Sequence, residues 1–141
     1  MIDYSSHTVY GDFDLTDIPV AIAGLADDLT VTGNLYACGT EITHFPSTIT
    51  VYGSIDLSIS PLATFSATYV GGTLDVSYTK ITTLPDDLHV CGDLLIEGCL
   101  DFSAFPRGLR VDGDLWMGGV DVPLPDDGNV IGEIHTENFM D

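Results

Sequence analysis

A repeat of about 20 residues runs through nearly the whole chain and limits what it can fold into. Each unit centres on a glycine, and successive central glycines are 22, 20, 19, 20, 21 and 19 residues apart by subtraction. A valine stands two positions before each of them, and a large apolar residue stands two positions after. The central glycines are Gly11, Gly33, Gly53, Gly72, Gly92, Gly113 and Gly132. Because so short a unit cannot bury its own apolar residues, successive units must stack.

The pattern inside each unit predicts short strands. Apolar residues alternate with polar ones around the glycine, as from Leu88 to Ile96, which is the period of a half-buried strand. A segment such as Ile81 to Pro85 follows, where proline ends strand pairing. We therefore predict a mainly β fold, a right-handed parallel β-solenoid of about seven coils of 19–22 residues. Little helix is expected, with Pro19 to Leu29 as the best candidate.

Length and composition predict one folded domain over residues 1–141, with an N-terminal cap at 1–8 and a C-terminal cap at 133–141. Hydrophobic residues make up 45% of the chain, enough apolar surface to drive folding. The first ten residues lack the basic and apolar regions of a signal peptide, and Pro61 interrupts the longest uncharged run. The three cysteines form no CxxC pair. We therefore expect a cytoplasmic protein with reduced thiols.

The charge balance argues against nucleic acid and membranes as direct ligands. Asp and Glu number 22, Lys and Arg number 3, and the net charge is −19. Affinity for phosphates comes from basic side chains, and this chain has only Lys80, Arg107 and Arg110. Anionic membrane surfaces would repel the chain for the same reason. The expected partner is therefore a protein.

Part of the repeat matches a known motif. Residues 74–85 fit the leucine-rich-repeat form L-x-L-x-x-N-x-L-x-x-L-P, with Thr79 in the asparagine position. Residues 35–46 and 55–65 fit in the same way, with Thr40 and Ser60 in the asparagine position. Cys99 stands in that position in the unit that follows residues 74–85. The chain thus resembles the short bacterial leucine-rich-repeat proteins over nearly its whole length. That resemblance implies recognition of a protein or peptide through an exposed face, on either a compact solenoid or an open horseshoe.

Acidic residues recur at positions expected to face solvent. Asp12, Asp93 and Asp114 each directly follow a central glycine, and Asp86-Asp87 is one of three aspartate doublets, with Asp27-Asp28 and Asp126-Asp127. Stacking would place such carboxylates about 4.8 Å apart. Their repulsion should raise their pKa values and stabilise the fold as pH falls moderately from neutral. One interpretation is solubility and protection of the exposed end strands. The other is a surface that imitates the phosphates of DNA and fills a basic groove.

Acidic repeat solenoids of this size are similar to the DNA mimics that phages and mobile elements use, including anti-CRISPR proteins. The resemblance implies a non-enzymatic inhibitor of a basic nucleic-acid-binding complex in a bacterial host, such as a CRISPR surveillance complex, a restriction enzyme or a topoisomerase. Because 14 of the 22 acids lie between Asp75 and Asp141, we expect contact through the C-terminal half. Trp116 stands in an outward column and either anchors a partner or covers its neighbours. The predicted partner-binding residues are Asp75, Asp86, Asp87, Asp93, Glu97, Asp112, Asp114, Trp116, Asp126 and Asp127.

We expect no catalytic residue, no cofactor and no metal. The four histidines fall at different places in the repeat, and the cysteines lack the spacing of metal ligands. Cys99 is expected in the core, with Cys38 and Cys91 at outward positions. A carbohydrate-active solenoid is the least favoured alternative, with Asp112 and Asp114, or Asp12 and Asp14, as acid and base. Such pairs recur with the repeat instead of marking one cleft.

Overall fold

The protein is described by a computed structural model that covers residues 8–16, 28–124 and 128–136. These residues form a parallel β-solenoid of about six turns, close to the seven coils predicted. No helix occurs among them, and the predicted helix at Pro19 to Leu29 falls almost entirely outside them. None of the described segments forms a helix long and apolar enough to cross a membrane.

Two stacks of parallel strands flank the central glycines. In the described ranges the strands are Thr8–Val9 (β1), Phe13–Asp14 (β2), Thr30–Val31 (β3), Leu35–Tyr36 (β4), His44–Phe45 (β5), Thr50–Val51 (β6), Ile55–Asp56 (β7), Thr64–Phe65 (β8), Tyr69–Val70 (β9), Leu74–Asp75 (β10), His89–Val90 (β11), Leu94–Leu95 (β12), Arg110–Val111 (β13), Leu115–Trp116 (β14), Asn129–Val130 (β15) and Ile134–His135 (β16). Strands after the glycine form one seven-stranded sheet, in the order β16-β14-β12-β10-β7-β4-β2. Strands before it form sheets β1-β3-β6 and β15-β13-β11-β9, and β5 pairs with β8 on a third side. Each strand therefore pairs with its equivalent one repeat away.

The core consists of the columns that the repeat predicts. Val31, Val51, Val70, Val90 and Val111 are at most 1% exposed, and the residues two past the glycines are buried from Phe13 to Leu115. The terminal coils have a stacked neighbour on one side only, so Val9 and Val130 are partly buried. Ile134, in the last strand, is 43% exposed. The inward orientation of these columns is confirmed, with loosening at the two ends.

The leucine-rich-repeat asparagine position is filled by a buried polar column. The hydroxyls of Ser60 and Thr79 donate hydrogen bonds to the carbonyl oxygens of residues three positions earlier, at 2.6 and 2.7 Å. The thiol of Cys99 donates to the carbonyl oxygen of Val76 at 3.0 Å. The two hydroxyl bonds close the turn after the second strand of their coils, and the thiol bond links neighbouring coils. Inside the core an unpaired carbonyl would be costly. Cys99 is buried as predicted.

Close contact between coils explains the central glycines. The Gly113 N–H donates to the Gly92 carbonyl oxygen at 2.9 Å, and the same bond recurs along the column. A Cβ atom on Gly113 would lie 2.8 Å from the Gly92 carbonyl carbon and would collide with Oδ1 of Asp93. Among the central glycines, Gly11 alone has a positive φ in the described residues. The column therefore serves close approach more than backbone bending.

Candidate functional site

The predicted partner-binding residues that the structure describes are spread over separate parts of the solenoid. Asp86 and Asp87 form the corner that precedes β11, and Asp112 follows β13 directly. Asp93 and Asp114 follow the central glycines, in a column that we call the glycine edge. Asp75 and Trp116 lie in the seven-stranded sheet, and Glu97 comes two residues after β12. Asp126 and Asp127 lie outside the described residues. The members of the glycine edge are Asp12, Asn34, Ser54, Thr73, Asp93, Asp114 and Glu133.

The acids of the glycine edge accept backbone hydrogen bonds. Oδ1 of Asp93 accepts the N–H of Asp114, and Oδ1 of Asp114 accepts the N–H of Glu133, each at 2.9 Å. Where a neutral residue stands at this position, Oδ1 of Asn34 accepts the N–H of Ser54 at 2.8 Å in the same way. The fold therefore uses one oxygen of each of these aspartates as a hydrogen-bond acceptor. Polar residues at these positions thus have a structural role besides facing solvent.

Hydrogen bonds lower the pKa of Asp112 and Asp114. For Asp112 the largest cause is the Arg110 guanidinium, whose Nε donates at 2.8 Å, followed by the His89 ring. For Asp114 the largest cause is the Glu133 backbone N–H, followed by the His135 ring. The prediction that crowding raises the pKa is therefore wrong for these two carboxyls. A sugar-cleaving acid–base pair needs a carboxyl with a raised pKa, which neither supplies.

Asp75 and Glu97 show the opposite shift. Burial is the main cause that raises the pKa of each, and the charge of Asp75 raises the pKa of Glu97 further. Glu97 is 6% exposed, and its Oε2 has no hydrogen-bond partner in the described residues. Its burial keeps this carboxyl away from a partner's surface. Mutual repulsion thus contributes to these shifts, but desolvation comes first.

The corner acids Asp86 and Asp87 are exposed, and Arg107 occupies the position of Asp86 one coil later. Oδ1 of Asp86 accepts the N–H of Arg107 at 3.0 Å, and its Oδ2 lies 3.5 Å from Nη2 of Arg107. An ion pair this exposed contributes little to stability. Asp87 has a φ of 62°, a conformation that aspartate and asparagine tolerate better than most residues. The corner therefore holds the Asp86 carboxylate in a fixed position beside the exposed Asp87.

Trp116 covers a neighbouring side chain. Its ring stacks on that of His135 with centroids 3.7 Å apart and an interplanar angle of 11°. Nε2 of His135 lies 3.1 Å from Oδ2 of Asp114. Trp116 therefore packs over the last described coil, in agreement with the second interpretation of its outward position.

The structure brings together one cluster of polar side chains that the sequence did not predict. His89 and Cys91 lie on one face of β11 and its extension, and Arg110 and Asp112 occupy the equivalent places one coil later. Nε2 of His89 lies 3.0 Å from Oδ2 of Asp112 and 3.9 Å from Sγ of Cys91. Neither the histidines nor the cysteines taken alone show the spacing of metal ligands. The signal was present in the alternate spacing of residues 89 and 91 and in the position of residue 112 one repeat after residue 91.

A scan against protein-family models, a search of the curated proteins and a search of the solved structures each found no match.

Proposed function

We propose that this protein is a non-enzymatic inhibitor that presents an acidic surface to the basic nucleic-acid-binding groove of a bacterial host complex. The observation that carries the proposal is the charge imbalance, −19 with three basic residues. Two of those three already pair with acids, Arg107 with Asp86 and Arg110 with Asp112. A single-sign surface of this kind attracts and orients a partner of opposite charge.

The contact surface in this proposal is an acidic strip made of Asp86, Asp87, Asp93, Asp112 and Asp114. The strip runs from the corner across strands β11 and β13 to the glycine edge, and it spans two neighbouring coils. Hydrogen bonds to the backbone or to neighbouring side chains hold Asp86, Asp93, Asp112 and Asp114. Because these carboxylates are already fixed, binding a partner would cost less side-chain entropy than binding through free chains.

Within this proposal the chain is a leucine-rich-repeat-like solenoid that acts as a phage or mobile-element DNA mimic. A CRISPR surveillance complex is the favoured target, with restriction enzymes and topoisomerases as the alternatives. These assemblies share the required basic channel for nucleic acid. The proposed location is the cytoplasm of the bacterial host, where such complexes act.

A second candidate function is recognition of a protein or peptide without charge mimicry. The observation that favours it is a shallow groove on the third side of the solenoid, lined by residues 63–66 and 82–85. Its volume is about 260 Å³, and its lining is more apolar than polar, with Phe65 and Leu84 among the lining residues. Binding there would leave the acidic strip free and would depend little on salt.

Capture from a bacterial lysate separates the two functions. The lysate is treated with nuclease and passed over the immobilised protein, and bound proteins are eluted first with short duplex DNA and then with salt. A charge mimic releases a nucleic-acid-binding complex into the DNA fraction, which mass spectrometry identifies. Retention of every bound protein through both elutions would favour the groove and contradict mimicry.

A further inference from the structure

We propose that His89, Cys91 and Asp112 form a binding site for a borderline-soft divalent cation, represented by Zn²⁺. The site is separate from the acidic-strip function and shares only Asp112 with it. One nitrogen, one sulfur and one carboxylate oxygen from these residues lie within 4.8 Å of one another. Nitrogen and thiolate ligands of this kind select Zn²⁺ and similar ions over Mg²⁺ or Ca²⁺, which prefer oxygen ligands alone.

Two of the three ligand separations lie near those of a tetrahedral ion, and the third is within 4.8 Å. Bond lengths of about 2.0 Å to nitrogen or oxygen and about 2.3 Å to sulfur place tetrahedral ligands about 3.3–3.5 Å apart. Nε2 of His89 lies 3.0 Å from Oδ2 of Asp112 and 3.9 Å from Sγ of Cys91, on either side of that range. All three residues are half-buried. Three protein ligands leave a fourth position for water or for a group from a partner.

The neighbours of the ligands hold them in place. Nε of Arg110 donates to Oδ1 of Asp112 at 2.8 Å, which orients the carboxylate and leaves Oδ2 toward His89. The Cys91 thiol lies 3.5 Å from the Tyr69 hydroxyl, and the Tyr69 ring packs edge-on against the His89 ring, with centroids 5.7 Å apart. Such outer partners fix ligand orientation in metal sites. Two strands and their side-chain neighbours therefore pre-form the cluster.

The same geometry disfavours a nucleophilic cysteine. A cysteine–histidine–aspartate relay needs the thiol on one ring nitrogen and the carboxylate on the other. Here Sγ of Cys91 and Oδ2 of Asp112 both approach Nε2 of His89. Convergence of three donors on one point suits coordination of a cation better than proton transfer.

Cobalt binding tests the proposal directly, because Co²⁺ occupies Zn²⁺ sites and absorbs light when a thiolate is bound. Tag-free protein is titrated with Co²⁺, and absorbance is recorded in the near ultraviolet and visible. We expect one Co²⁺ per chain with a thiolate charge-transfer band, and displacement by one equivalent of Zn²⁺. Cys91→Ser should abolish the band, and His89→Gln should weaken binding at least about tenfold, no less than the loss of an outer-shell partner.

The chain offers matched controls in Cys38, another half-buried cysteine, and His44, a histidine outside the cluster. Cys38→Ser and His44→Gln should leave the band and the affinity unchanged. Circular dichroism of each variant checks that the fold is retained, and His89→Gln keeps the thiol should Cys91→Ser perturb it. Absence of the band in the parent, its persistence in Cys91→Ser, or an equal loss in Cys38→Ser would overturn the site.

Discussion

Asp93 and Asp114 occupy equivalent positions in neighbouring coils, and Oδ1 of Asp93 accepts the backbone N–H of Asp114 at 2.9 Å. The two carboxylates are thus linked through the backbone instead of being held apart as free charges. The same acceptor place is filled by Asn34 and Ser54 in coils without this charge. The fold therefore requires a hydrogen-bond acceptor at the glycine edge, whereas it does not require that the acceptor be negatively charged.

Removal of the acceptor and removal of the charge should have different effects at Asp93. Asp93→Ala leaves a partly buried N–H without its partner and should lower the free energy of unfolding by about 1 kcal/mol. Asp93→Asn keeps Oδ1, as Asn34 does, and should leave stability unchanged or slightly higher. Urea denaturation of both variants measures the difference. Equal stability of the two variants would contradict a role for this hydrogen bond.

Gly113→Ala should destabilise the solenoid. The added Cβ would lie 2.8 Å from the Gly92 carbonyl carbon and would collide with Oδ1 of Asp93, so the coils would have to separate. Overpacking of this kind costs about 1–3 kcal/mol. The double variant Gly113→Ala with Asp93→Ala lacks one of the colliding groups, so its loss should be smaller than the sum of the two single losses. No loss of melting temperature in Gly113→Ala would contradict the close approach of coils.

Stability should depend on pH in two opposite ways. Burial raises the pKa of Asp75 and Glu97, so the folded chain binds more protons than the unfolded chain, and stability should rise as pH falls from neutral toward about 4.3. Hydrogen bonds lower the pKa of Asp112 and Asp114, so their contribution should be lost below about pH 3.9. Melting temperatures measured between pH 7 and pH 3 should therefore pass through a maximum.

Glu97→Gln isolates the first effect. The variant lacks the buried charge whose Oε2 is unpartnered, so it should melt above the parent at pH 7 and gain less on acidification. Glu133→Gln removes an exposed carboxyl and serves as the control, with little expected change. A parent melting temperature that falls steadily from pH 7 would contradict the raised pKa values.

The periodic part of the fold was predictable, because the core columns follow from valine and glycine spacing at one fixed period. The buried column of Thr79 and Cys99 also followed, since both replace the inward asparagine of the repeat motif. The environment of individual acids was not predictable. Whether a carboxylate meets a backbone N–H, as Asp114 does, or becomes buried, as Glu97 does, depends on side-chain packing between coils. Periodicity fixes the column but leaves this packing open.

The central claim is that the acidic strip competes with DNA. Labelled duplex is bound to a CRISPR surveillance complex, a restriction enzyme and a topoisomerase, and its displacement by the protein is measured at about 50 and 200 mM salt. The test variant carries asparagine at Asp86, Asp87, Asp93 and Asp114, which keeps hydrogen-bond acceptors and leaves Asp112 intact. The control carries Asp12→Asn, Asp14→Asn, Asp28→Asn and Glu41→Gln, so both have a net charge of −15, from −19 plus four.

The account predicts that the parent and the control displace the duplex from at least one of these complexes at low salt, and much less at high salt. The strip variant should displace little or none while melting at the same temperature as the parent or higher. The claim would be contradicted if the parent displaced duplex from none of the three complexes. It would also be contradicted if the strip variant and the control were equally active.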